Sequence, residues 1–245
     1  MAVVRRRSST PQAPSYSRAD VETLSENNNE PQWLRDLRLQ AWDVYEATPM
    51  PQMEEEWRRT DYRHIRWDEA DSLIQPNGAT SEVVPAKNLE PLTGDKHGGL
   101  LVFVDGKVVH HEVADELTEQ GVIFTDLTSA VNEHPELVQK HFMTQAVKVD
   151  DGKFAALHGA LWNYGVFAYV PRNKVAELPL HVVNYNTKAG ATMGHVLVIV
   201  EENAQATMQV EYASAESQTQ SSYIGATELI VGNAGNLRYV SLQDW

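Results

Sequence analysis

The chain has 245 residues, of which 42% are hydrophobic and 22% charged, with 14 Gly, 11 Pro and no Cys. That length and apolar content can bury a core without cross-links, and the missing Cys removes disulfides, thiolate metal sites and cysteine nucleophiles together. The net charge of −14, with Arg5, Arg6, Arg7 and Arg18 the only formal charges up to residue 18, leaves no basic footprint for a nucleic-acid backbone.

Residues 1–29 are rich in Ser, Asn and Pro and are expected to be a disordered tail, with at most a weakly apolar turn near Val21 and Leu24. The tail does not read as a twin-arginine leader, because Ser8, Ser9, Thr10, Pro11 and Gln12 follow the arginines where an apolar stretch would be expected to begin. No segment approaches the roughly 20 apolar residues of a membrane span. A cytoplasmic protein is expected.

Residues 30–165 read as a helical and α+β region. Trp33, Leu34, Leu37, Ala41, Val44 and Tyr45 recur at helical spacing, with Pro31 in the first turn, Asn29 or Glu30 placed to cap, and Pro49 and Pro51 as the stop. Glu54 with Arg58, and Glu55 with Arg59, have the spacing of helical ion pairs. Trp33, Trp42, Trp57 and Trp67 concentrate here, which fits a helix packed on its own domain or a groove for a partner. Ser72 to Gly99 reads as a linker. Leu100 to Val104 and Lys107 to His110 flank Asp105-Gly106 and predict a hairpin near 100–111. Val122 to Phe124 suggests a further strand, Asp126 caps a helix ending near His134, Pro135 starts another, and Phe154 to Trp162 forms a third with Gly165 as its C-cap glycine.

Within 166–245 the pattern changes to short β-branched runs: VFAYV, LPLHVV, HVLVIV, ATMQVEY, ATELIV and NLRYVSL. Asn173, Asn203 and Asn233 recur at thirty-residue intervals, each just past an apolar strand. A fixed period of strand, turn and strand predicts stacked coils, so a β-solenoid is preferred to a sandwich. The asparagines would satisfy corner backbone groups or adopt a left-handed conformation; a ligand-binding ladder is the other reading. The final run stops on Trp245 with no capping element after it, and the chain is expected to be cut off within the solenoid.

The residues carry little enzymatic signal. The nine histidines, His64, His97, His110, His111, His134, His141, His158, His181 and His195, form no HxH or HExxH arrangement. His181 and His195 are strand residues that would have to converge for a cupin-like metal enzyme. In His110-His111-Glu112 the two imidazoles point to opposite faces unless a bulge intervenes. There is no GxSxG elbow. Gly94 to Gly99 lacks the spacing of a phosphate loop. Asp150-Asp151 and Glu201-Glu202 read as solvated turns. No residue is assigned as catalytic, cofactor-binding or metal-binding.

Three blocks taken together resemble one family: EPQWLRDLRLQAWDVYEATPMPQMEEEWRRTDYRHI, KFAALHGALWNYGVFAYVPRNKVAELPLHVV, and HVLVIVEENAQATMQVEY followed by ELIVGNAGNLRYVSLQDW. They are similar to the SufB/SufD family of the SUF iron–sulfur cluster assembly system over about Glu30 to Trp245. The Pro49 to Asp61 stretch and the lack of Cys are nearer its SufD branch. The resemblance implies a mainly β chain with a helical N-terminal region leading into a right-handed parallel β-helix. It implies a non-catalytic scaffold that pairs through the β-helix with a SufB-like paralogue. A C-terminal helical domain would dock a SufC-like ABC-type ATPase. The complex as a whole would handle an iron–sulfur cluster transiently, with no cofactor held by this chain alone. The later coils, the docking helices and the His associated with cluster handling would lie beyond Trp245. The alternatives are a cupin-like metal enzyme and a carbohydrate-active β-helix protein, the latter needing a secretion signal and a charged solenoid face, neither of which is visible.

Overall fold

The computed structural model describes residues 13–51, 57–60, 62, 65, 81–90, 96–188, 190–215 and 220–245. Helix begins earlier than expected. Arg18–Asn27 forms α1, opened by a capping box in which Ser17 N donates to Asp20 Oδ2 at 2.8 Å. Val21 is fully buried and Arg18 pairs with Asp43, so contacts with the next helix hold a segment that looked too polar to order. Gln32–Ala47 forms α2, with Pro31 as its N-cap rather than in its first turn. Glu30 is used differently, as the partner of the buried Arg38. Trp42 is buried, Trp33 packs against the same core, and Trp57 lies 5.4 Å from Phe154, so these three tryptophans serve internal packing. Glu54, Glu55 and Trp67 lie outside the described residues. Part of the expected linker is ordered: Ser81–Val83 and Ala86–Asn88 make short 3-10 turns, with Val84 and Asn88 buried.

The hairpin is formed by β1 (Gly99–Val104) and β2 (Lys107–Val113). Asp105 and Gly106 both have positive φ, 50° and 79°, as a two-residue turn matched to strand twist requires. There follow α3 (Asp115–Glu119), β3 (Ile123–Asp126), α4 (Leu127–Glu133), α5 (Pro135–His141) and α6 (Lys153–Leu161). Asp126 caps α4 by accepting from Ser129 N at 3.0 Å. Helix α6 ends at Leu161 with Trp162 as its C-cap, and Gly165 is not its cap. Gly165 lies inside β4 (Tyr164–Val170), where a Cβ would sit 2.4 Å from the His195 carbonyl oxygen; it is glycine because two backbones approach there.

From β4 onward every described regular element is a strand: β5 (Leu180–Asn186), β6 (Ala191–Thr192), β7 (Gly194–Val200), β8 (Gln205–Ser214), β9 (Ser222–Tyr223), β10 (Ala226–Val231) and β11 (Asn236–Asp244). The sheets run in the orders β10-β7-β4-β3 and β11-β8-β5-β1-β2, with a small β6-β9 pair. Strands β4, β7 and β10 are mutually parallel, Tyr164 pairing with Gly194 and His195 with Ala226. Strands β5, β8 and β11 are parallel in the same way, Leu180 with Met208 and Gln205 with Asn236. The spacing between paired residues is therefore close to thirty, with small slips. The fold is mixed α and β.

Alternation of side chains sets the layers. Phe167, Leu197 and Ile199 point from the four-stranded sheet into a core shared with Leu34, Trp42, Leu157 and Trp162 of the helices. Val166, Ala168, Val196 and Val198 point the other way, towards Phe103, Leu180, Val182 and Met208 of the five-stranded sheet. The outer face of that second sheet buries Leu100, Val102 and Val183 against Val84 of the 3-10 segment. At the corners Asn173 (φ 61°) and Asn203 (φ 57°) are left-handed, and Asn203 Nδ2 donates to Asn173 Oδ1 at 3.2 Å. The third left-handed residue is Ala234 (φ 55°), not Asn233, whose carbonyl instead accepts from Asn203 N at 3.0 Å. The one-residue slip between β7 and β10 moves the corner along by one.

Candidate functional site

Two buried histidine–glutamate networks lie on the outer faces of the two sheets. The first joins the helical layer to the four-stranded sheet. His158 of α6 places Nε2 2.9 Å from His195 Nδ1 on β7, and His195 Nε2 is 3.1 Å from Glu228 Oε2 on β10. At one end His158 Nδ1 is 2.9 Å from the Ile224 carbonyl oxygen. At the other, Glu228 accepts from Met143 N at 2.7 Å and Val147 N at 3.2 Å. The His195 and Glu228 side chains are wholly excluded from solvent. Burial, reinforced by His195 and Arg38, pushes the His158 pKa down to about 3. Burial lowers His195 too, against the opposing pull of Glu228. The rings of Phe142 and Trp162 stand 4.4 and 6.4 Å from that of His195. Arg38 lies over the Trp162 ring at 4.5 Å, bidentate to Glu30 at 2.6 and 2.7 Å, and donates to the Ala160 carbonyl at 3.0 Å.

The second network ties the 3-10 segment to the five-stranded sheet. His181 Nε2 on β5 lies 3.3 Å from Glu211 Oε1 on β8. Asn88 Nδ2 donates to Glu211 Oε2 at 2.9 Å, and Gln209 donates to the other carboxylate oxygen. The His97 ring is 5.3 Å from that of His181, and its Nε2 is 3.0 Å from the Leu89 carbonyl. Burial lowers the His181 pKa and Glu211 opposes that shift.

His181 and His195 therefore do not converge: each faces its own glutamate on a different sheet. Both networks are rows of pairwise contacts, and among the described residues no three His, Asp or Glu side chains form a set that could hold a metal ion. In the His110-His111-Glu112 triplet, His111 Nε2 turns 2.8 Å from the Phe124 carbonyl while His110 pairs with Glu112 at 3.5 Å, so the two imidazoles do separate. The irregularity between Val102 and Phe103 precedes both and does not bring them together. His141 is buried, with its pKa lowered chiefly by that burial, and His134 is the N-cap of α5. His64 and Gly94 lie outside the described residues. The paired carboxylates sit at turns, Asp151 accepting from Lys148 N at 2.7 Å and Glu202 pairing with Arg172 at 2.7 Å.

The sequence reading did not find Arg38, His158, Glu211 or Glu228 as site residues. For Glu228 a signal existed, a carboxylate in the middle of the run ATELIV, since a charge on a strand flanked by apolar residues must find partners if it is buried.

Comparison with known families decides the wider setting. Residues 18–182 match the family described as SufBD protein N-terminal region, and residues 182–245 match the SUF system FeS cluster assembly SufBD core domain. This chain belongs to the SufBD family. The iron–sulfur cluster assembly protein SufD of Bacillus subtilis (strain 168) is 34% identical over 224 residues, which are 89% of this chain and 50% of that protein. SufBD family proteins of Staphylococcus aureus (strain USA300) and Staphylococcus epidermidis are 32% and 30% identical, each match covering 92% of this chain and 50% of the relative. The chain thus spans about half the length of the curated relatives it matches. The junction of the two SufBD regions falls at residue 182, in β5. Among the described residues no helix is long and apolar enough to cross a membrane.

Proposed function

We propose that this SufBD chain is a non-catalytic scaffold subunit of a cytoplasmic SufBCD-type complex, its strands forming the first coils of a right-handed parallel β-helix. The observation that carries the reading is the parallel pairing of β4, β7 and β10, and of β5, β8 and β11, at spacings near thirty residues in a chain of this family. Such a stack is rigid along its axis and offers backbone edges and flat faces to a partner. Iron and sulfide are then substrates of the assembled complex, received where this chain meets a SufB-like paralogue. An iron ion there would take imidazoles, carboxylates and the partner's thiolates, because this chain has no Cys. The energy input comes from a SufC-like ATPase partner. Two buried histidines facing separate glutamates, rather than each other, favour the scaffold over a cupin-like metal enzyme.

The test is immunoprecipitation of the native protein from its own cytosol with an antibody to this segment, followed by mass spectrometry. A SufB-like and a SufC-like companion are expected. Recovery of the protein with neither companion would overturn the scaffold reading.

A further inference from the structure

The row from Glu228 to Ile224 can be counted in protons. Each hydrogen bond between two heavy atoms holds one proton, and a carbonyl oxygen only accepts. The 2.9 Å contact to the Ile224 oxygen therefore puts a proton on His158 Nδ1. The contact from His158 Nε2 to His195 Nδ1 holds a second, and that from His195 Nε2 to Glu228 Oε2 a third. Two neutral imidazoles bring two protons and a carboxylate brings none. A row of three bonds is one proton richer than that, and with this proton it has no net charge; the burial that resists a further charge on either imidazole equally resists leaving a bare carboxylate there. The backbone N–H groups of Met143 and Val147 also point at the Glu228 carboxylate and supply its remaining bonds. Remove the odd proton and two lone pairs face each other where the His195 and Glu228 side chains are closed to solvent. Add another and both imidazoles become donors at their shared contact. Either change leaves buried polar groups unpaired.

The charges around the row do not substitute for that proton. From α2, Arg38 faces His158 but is matched by Glu30. From α5, His141 approaches Glu228 and Glu201 with Lys140 beside it, and it is itself held towards neutrality by burial. Of the row itself, β7 and β10 contribute His195 and Glu228, and α6 contributes His158.

We propose that His158, His195 and Glu228 form a proton-locked latch, which holds β10 and the Met143–Val147 segment against the helical layer while the triad carries three protons and releases them when one is lost or gained. This goes beyond the scaffold reading and does not depend on it. Above about pH 7.5 the unfolded chain keeps two neutral imidazoles and a carboxylate here, so the folded state binds one proton more, and stability falls as pH rises. Below about pH 6 the unfolded imidazoles take up protons that the closed row refuses, so stability falls again on the acid side.

The experiment is urea unfolding of the chain at intervals from about pH 7.5 to about pH 9, beside Glu228→Gln, whose amide does not titrate. The wild-type folding constant should fall about tenfold per pH unit relative to the variant. Parallel profiles would overturn the latch. A second measurement decides the matter even where the variant does not fold: proton and nitrogen-15 NMR of histidine-labelled wild type at about pH 8 should find one proton at each of the three contacts, His158 Nδ1 to Ile224, His158 Nε2 to His195 Nδ1, and His195 Nε2 to Glu228. A folded chain with only two of these protons refutes the count.

Discussion

Replacing Glu30 by Ala should be one of the most damaging single changes in the helical layer. The Glu30 and Arg38 side chains are 3% and 0% exposed, and two of the three guanidinium nitrogens bond to that carboxylate. The third reaches the Ala160 carbonyl, and Trp162 covers the face of the group, so the guanidinium has no route to water. Truncating Glu30 leaves a full charge buried without its counter-ion, which costs about 3–5 kcal/mol. With a urea m-value of roughly 2–3 kcal/mol/M for a chain of this size, the midpoint should drop by about 1.5 M. Tryptophan fluorescence suits the measurement, because Trp162 lies directly under the guanidinium. The double change Glu30→Leu with Arg38→Met removes both charges and should recover stability to within about 2 kcal/mol of wild type. If Glu30→Ala costs under about 1 kcal/mol, or the double variant is no better than the single one, the pair is not a desolvated clamp.

Two further changes probe the sheets. Ala234→Asn puts a residue tolerant of positive φ at the corner where Ala sits at 55°, and it should stabilise by about 1 kcal/mol, seen as a rise in Tm of about 2–4 °C; an unchanged or lower Tm would contradict the corner assignment. Gly165→Ala forces a Cβ against the His195 carbonyl at 2.4 Å and against Leu127, and it should cost about 2–3 kcal/mol in urea unfolding. A neutral outcome would mean that β4 and β7 are not in the register described.

What the sequence made legible was whatever is decided locally. The six apolar runs from VFAYV to NLRYVSL all became strands, because β-branched residues bounded by turn residues specify extended backbone within a few positions. The hairpin at Asp105-Gly106 follows from the same local chemistry. Helix α1 was missed because its order comes from Val21 packing and the Arg18–Asp43 pair, contacts with α2 that polar composition does not announce. Gly165 was misjudged because a C-cap and a close backbone approach both require glycine, and only the neighbouring strand distinguishes them. The histidine networks were invisible for a different reason. His158, His195 and Glu228 stand 37 and 33 residues apart along the chain, and only the stacking of strands and helix brings them into one row.

The row of parallel strands has a mechanical consequence. In β4, β7 and β10 each strand bonds only to the next, so damage at the outermost strand would ordinarily peel inward one step at a time. Glu228 breaks that sequence by reaching past β7 to the backbone of Met143 and Val147 in the segment that follows α5. The far strand is thus wired straight to the helices, a cross-brace that turns stepwise fraying into a loss shared by three elements at once.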